Sequence, residues 1–128
     1  MGLFVAPKSA DAQVTAFKQA VAEAAARDID IAAFYQAYGY KSVWTGRSSR
    51  ERSRRRALIK TLANASSHGL PAGRYDSAGL QAKMKAARGP RERGTVEVEI
   101  SRVFLQYARD LQTGALIPSR VNSAIVRK

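Results

Sequence analysis

The sequence predicts an all-α fold, a single compact domain of about five helices around a long central helix near the C-terminus. Two observations lead there. Apolar residues recur at three- and four-residue spacing in one segment after another. Between those segments, Ser, Asp, Gly and Pro fall where helix caps and stops belong. The chain contains no βαβ pattern and no internal repeat. Its 128 residues suit one domain, and a chain of that size buries roughly two thirds of its unfolded surface, enough for a core without covalent staples.

The organising stretch is 95–113, where Val96, Ile100, Val103, Phe104, Tyr107, Ala108 and Leu111 line one helical face. Val96, Val98 and Ile100 alone alternate as a strand would, but the longer helical period outweighs them. Glu97 and Glu99 suit the first turn, where the dipole favours acids, while Gly114 and Pro118 would end the helix. On this reading Phe104 is a core residue.

The other elements follow in order. Residues 13–27 form an alanine-rich amphipathic helix with Val14, Phe17, Val21, Ala24 and Ala25 on its stripe, and its few large residues suggest a peripheral position. Asp28 or Asp30 caps a short second helix carrying Ile31, Phe34, Tyr35 and Tyr38 and ended by Gly39. Residues 40–46 mix aromatic and turn residues without helical period. Ser48 and Glu51 then fit a capping box, opening a helix to about residue 67 with Leu58, Ile59, Leu62, Ala63 and Ala65 inward and Gly69, Leu70 and Pro71 as its terminator. Asp76 or Ser77 caps a fourth helix bearing Leu80 and Met84, which Gly89-Pro90 breaks, leaving 91–94 as a charged linker. The predicted helical domain spans 13–118, with 119–128 as a linker or tail. Residues 1–12 read as a disordered start or the remnant of a signal peptide: Ala10-Asp11-Ala12 has the small-residue pattern of a signal-peptidase site, but no basic residue precedes Leu3.

Charge is the strongest compositional signal. Twenty-two Lys and Arg oppose ten Asp and Glu, a net charge of +12, and such a field attracts polyanions: nucleic acid, acidic lipid surfaces or an anionic cell-wall polymer. With no cysteine, the chain has no disulfide, thiolate metal site or cysteine nucleophile. No apolar run approaches the roughly 20 residues of a membrane-spanning helix.

Three blocks in register carry a family resemblance: Phe34-Tyr35 through Tyr40 and Trp44-Thr45; Leu62 through His68-Gly69-Leu70-Pro71 and Tyr75; and Phe104 through Tyr107-Ala108-Arg109-Asp110-Leu111, Gly114 and Pro118. Their order and spacing resemble the N-terminal scaffold domain of large periplasmic L,D-transpeptidases of Gram-negative bacteria, over about 31–118. In that family a helical domain precedes a catalytic domain that cross-links peptidoglycan through a cysteine acyl-enzyme. The family's Ser/Thr-His-Gly-Cys block is absent here, since His68-Gly69 is followed by Leu70. The resemblance thus implies a non-catalytic accessory domain in the periplasm, with peptidoglycan or a covalently linked catalytic domain as partner and no cofactor. Acyl transfer between stem peptides would be the work of residues outside this chain.

The residues themselves offer few candidate sites. Arg47, Arg50, Arg52, Arg54, Arg55 and Arg56 form the densest charge run; they read either as an anion-binding face, since guanidinium pairs with phosphate and carboxylate in bidentate fashion, or as a solvated face. Tyr35, Tyr38, Tyr40 and Trp44 could stack on sugars or bases, but Phe34 and Tyr38 at helical spacing read as core, and Trp44 as buried with its indole N–H on a backbone acceptor. Tyr40 and Tyr75 remain as candidate surface aromatics. His68 stands alone, so no metal site can be assembled; Asp110 fits a helix-end ion pair or cap. No catalytic set emerges. The competing readings are a basic helical nucleic-acid-binding protein, and a protein-interaction module docking through its Tyr/Trp segment.

Overall fold

The computed structural model describes residues 10–70 and 73–113. The expected terminators Pro71, Gly114 and Pro118, the tail 115–128, residues 1–9 and the side chain of His68 lie outside that description. Among the described residues, five α-helices and one 3-10 turn follow in chain order: α1 (Ala10–Ala25), α2 (Ile29–Ala37), α3 (Ser49–Ala63), the 3-10 turn Ala65–His68, α4 (Ser77–Ala86) and α5 (Pro90–Thr113). Among the described residues there is no strand, and no helix is long and apolar enough to cross a membrane.

The caps obey the sequence. Asp28 accepts the amides of Asp30 and Ile31 at 3.1 and 3.2 Å, Ser48 that of Glu51 at 3.2 Å, and Asp76 that of Gly79 at 3.2 Å. Gly69 terminates the 3-10 turn at φ 88, a left-handed backbone that glycine adopts without strain. Leu70 then closes back, its amide 3.2 Å from the Ala65 carbonyl and its side chain fully buried.

α5 begins earlier than its apolar stripe. Pro90, expected as a breaker, is its first residue, so 91–94 is helix rather than linker. Proline suits this position because the amide it lacks would have had no intrahelical partner. Glu92 therefore occupies the first turn, and Glu97 and Glu99 sit further in.

α5 is buried on two sides. Val96, Ile100 and Tyr107 join Leu58 and Leu62 of α3, Leu80 of α4 and Trp44, Leu70 and Tyr75 from the connections. Val98 joins Val21 and Ala25 of α1 with Ile31 and Tyr35 of α2. The most extensive helix pairing is α1 with α5, so α1 is a principal partner rather than a peripheral one. Small residues make that possible: a Cβ on Gly94 would lie 2.7 Å from both the Ala20 Cβ and the Phe17 carbonyl oxygen.

A buried carboxylate fixes the irregular segment between α2 and α3. Glu97 is fully buried and accepts the amides of Val43, Trp44 and Thr45 at 2.9, 3.2 and 3.1 Å, the Thr45 hydroxyl at 2.9 Å and the Tyr35 hydroxyl. Trp44 Nε1–H donates to Ser101 Oγ at 2.9 Å, a side-chain acceptor one turn along α5 in place of the expected backbone one. Ser101 in turn lies 2.6 Å from the Tyr35 oxygen, and with the Tyr35 proton on Glu97 the serine is the donor there. Burial, then the Glu97 charge, push the Tyr35 phenol well above its ordinary value.

Asp110, also buried, holds the α3–α4 connection to the far end of α5. It accepts from Arg74 Nε at 2.7 Å, Tyr75 Oη at 2.6 Å and Gln106 Nε2 at 2.8 Å. Burial acts to raise its carboxyl, but the bonds from Tyr75, Gln106 and Arg74 and the Arg74 charge outweigh it and hold it below the usual value.

Three expected core aromatics face outward instead. Phe34 and Tyr38 are 45 % and 43 % exposed and stack on each other, while Tyr35 between them takes the interior. Phe104 is 41 % exposed and covers one side of Trp44 at a centroid distance of 5.6 Å. Leu111 is similarly half-exposed. Truncating Phe104 therefore costs much less than removal of a fully buried ring would.

Gly94→Ala should destabilise by about 1–3 kcal/mol despite the better helix propensity of alanine, because the new methyl must force α1 off α5. A melt at or above the wild-type temperature would show that the two helices have room to spare. Glu97→Gln keeps the shape but turns an NH2 toward groups that already donate, so about 3 kcal/mol should be lost in denaturant titration. A loss below ~1 kcal/mol would mean that the segment 43–45 is held by other contacts. Because the Asp110 carboxyl is held low, its contribution is complete above about pH 4 and fades as pH falls through the folded value. Asp110→Asn should thus be less stable at pH 7 and lose less on acidification than wild type; parallel acid profiles would refute this.

Candidate functional site

The arginine run of α3 divides its labour. Arg54 donates to the Val43 carbonyl at 2.6 Å, and Arg55 to the carbonyls of Trp44 and Gly46, the latter at 2.8 Å. Both are half-buried. Glu97 thus takes the N–H side of the segment and these arginines its C=O side, so a non-periodic stretch packed in the interior leaves few polar groups unpaired. Glu51 completes the arrangement through Ser42 Oγ at 2.7 Å and the Gly46 amide at 2.6 Å. The Ser48 half of the expected capping box forms, and the Glu51 carboxylate accepts the Ser48 hydroxyl at 3.4 Å rather than its amide while also reaching the preceding residues. A side chain at Gly46 would collide with that carboxylate.

Pinned in this way, the segment forms one end of a cleft of about 780 Å³ between α3, α4 and the corner leading into α5. Its lining is Thr45 and Arg47 from the segment, Arg55, Arg56, Ile59 and Lys60 from α3, Gln81, Met84 and Lys85 from α4, and Ala87, Arg88 and Arg93 beyond. Seven of these twelve are cationic and none is acidic. Ile59, Met84 and Ala87, all half-buried against the α3–α4–α5 core, make an apolar floor. A concave surface lined by one sign of charge focuses its field and concentrates counter-ions.

Eight of the ten acidic residues are committed elsewhere. Glu23 pairs with Arg91, Asp30 with Arg109, Glu99 with Lys83 and Asp110 with Arg74. The Glu99 contact raises the Lys83 ammonium above its ordinary value, first through the hydrogen bond and then through charge. Asp28 and Asp76 cap helices, and Glu51 and Glu97 hold the 42–46 segment. Among the described residues, Arg47, Arg56, Lys60, Lys85, Arg88 and Arg93 form no ion pair.

Of the candidate arginines, then, Arg47, Arg55 and Arg56 reach the cleft, Arg54 is spent on the backbone, and Arg50 and Arg52 are exposed outside its lining. Tyr40 sits half-buried at φ 59 in an adjoining hollow with Val14, Phe17, Tyr38 and Lys41, which shares Thr45, Arg47 and Arg93 with the cleft. Tyr75 is not a surface aromatic: it is 6 % exposed, edge-on to Tyr107 and bonded to Asp110, because the turn it occupies folds against α5 rather than outward. Burial and then the bond to Asp110 push its phenol well above the usual value. Sequence reasoning missed Lys60, Lys85, Arg88 and Arg93. Each is unremarkable locally, and only the pairing of α3 with α4 makes them neighbours.

Chemically, the cleft is equipped to bind anions. Among the described residues, no group of His, Asp or Glu is placed to hold a metal ion.

Compared with known proteins, no curated protein and no solved structure matches the chain. A family model does, the one described as Scaffold domain, over residues 29–128. That range takes in everything from the start of α2 through the Glu97 node, the cleft and Asp110, and the chain belongs to the scaffold-domain family.

Proposed function

We propose that this chain is the non-catalytic scaffold domain of a periplasmic, peptidoglycan cross-linking L,D-transpeptidase, serving to position the catalytic domain or the cell-wall polymer. The observation that carries the reading is the scaffold-domain match, which contains the whole stretch whose three sequence blocks resemble the helical domain of those enzymes. The missing cysteine supports assigning the chemistry to residues outside this chain. A rigid helical body suits a positioning role, because its surface charges are held in fixed relation by a core anchored at Glu97 and Asp110. The basic cleft favours one second reading, nucleic-acid binding, and charge alone does not separate the two.

Salt does. A protein engaging a dense line of phosphates loses affinity by orders of magnitude between about 50 and 200 mM salt. The sparser carboxylates of peptidoglycan leave more of the binding to hydrogen bonds and packing. The chain should therefore pellet at least partly with insoluble sacculi at about 200 mM salt, where duplex DNA binding has faded and shows no sequence preference. It should also yield no cross-linked product from tetrapeptide muropeptides by itself. Sequence-selective DNA binding at that salt without sacculus pelleting, or turnover by the purified chain, would overturn the proposal.

A further inference from the structure

The cleft between α3 and α4 combines two properties that together narrow its ligand. Its rim is cationic, while Ile59, Met84 and Ala87 give it an apolar floor. A ligand offering charge alone would leave that floor wet; one offering apolar surface alone would cover cations without giving them partners. We propose that this cleft is a docking site for an acidic amphipathic protein segment, its apolar side chains on the floor and its Asp and Glu on the rim.

Three observations favour that occupant. Residues 1–9 and 114–128 do not supply it, since they contain Lys8, Arg120, Arg127 and Lys128 but no acid. A second copy is no better, since of the ten acidic residues only Asp11 and Glu92 stand outside the ion pairs, caps and buried nodes described above. The partner must bring its own carboxylates. Third, the lining contains no aromatic ring on which a nucleobase could stack, and a concave rim does not present its charges to a flat anionic membrane. Met84 is a side chain suited to varied apolar partners, being unbranched and polarisable. Guanidinium groups dominate the rim and match carboxylates in bidentate fashion. This inference does not rest on the cell-wall reading, and its readout is separate from sacculus pelleting.

The test is fluorescence anisotropy with a labelled synthetic peptide of about four helical turns, leucines at i, i+3, i+4 and i+7 and glutamates elsewhere. Oligoglutamate of equal charge, a short DNA duplex and vesicles of mixed phosphatidylcholine and phosphatidylglycerol serve as competing ligands. At physiological salt the amphipathic peptide should bind more tightly than oligoglutamate. Lys85→Glu with Arg88→Glu should weaken it at least about tenfold, whereas Arg50→Glu with Arg52→Glu, the same charge change outside the cleft, should weaken it less than about threefold. Met84→Ala should erase much of the preference over oligoglutamate. Circular dichroism checks that each variant folds, and Lys85→Gln with Arg88→Gln replaces the reversal if it does not. Equal losses from both pairs of reversals, equal affinity for oligoglutamate, absence of peptide binding, or tighter cleft-dependent binding of DNA or vesicles would each overturn the proposal.

Discussion

The structure depends on one carboxylate. Burying Glu97 without partners would cost several kcal/mol, so the fold can exist only if donors arrive from elsewhere to meet it. Three successive amides, a threonine hydroxyl and a tyrosine hydroxyl do so. The consequences run outward from there. With the amides of 43–45 bonded to α5, the carbonyls of Val43, Trp44 and Gly46 are taken by Arg54 and Arg55 of α3. Trp44 is directed into the core beside Ser101. A segment with no repetitive structure of its own thereby joins α2, α3 and α5.

Much of this fold was legible because helices advertise themselves locally. The period of α5, the caps at Asp28, Ser48 and Asp76, and the terminator Gly69-Leu70 are written within a few residues of where they act. The failures share a different character. α2 is apolar all round, so its pattern could not say that Tyr35 faces inward while Phe34 and Tyr38 face out. Glu97 looked like a first-turn acid because its partners lie more than fifty residues away in sequence. α1 looked peripheral because alanines read as weak hydrophobes; in fact Ala20 and Gly94 are what let two backbones approach closely. In each case periodicity specified that a face exists, and only long-range pairing specified what it meets.

The candidate site was legible only in part. An arginine-dense helix start read either as an anion-binding face or as a solvated one, and the structure divides the run between different surroundings. Arg54 and Arg55 are tied to backbone carbonyls, and Arg50 and Arg52 face solvent away from the cleft lining. The remainder of the cleft is borrowed from α4 and the corner beyond it, through residues that no local motif marks.

That division explains how so basic a chain can fold without self-repulsion dominating. Net charge far from zero destabilises a compact state, and with 22 basic against 10 acidic side chains the surplus must be placed somewhere. The acids neutralise the seams: α1 to α5 through Glu23 and Arg91, α2 to α5 through Asp30 and Arg109, α4 to α5 through Lys83 and Glu99, and the α3–α4 connection through Asp110. Exposed pairs of this kind each contribute little to stability; their larger effect is on where charge remains. Among the described residues, seven of the cations outside those pairs gather at the open mouth between α3 and α4, while others such as Lys18, Arg27, Arg50 and Arg52 are spread over the remaining surface. Unpaired cations held by well-packed helices are already in place before a ligand arrives, so binding there loses less ordering entropy than a flexible basic tail would. The same carboxylates that hold the helices together thus decide, by where they are absent, which surface is available to an anionic partner.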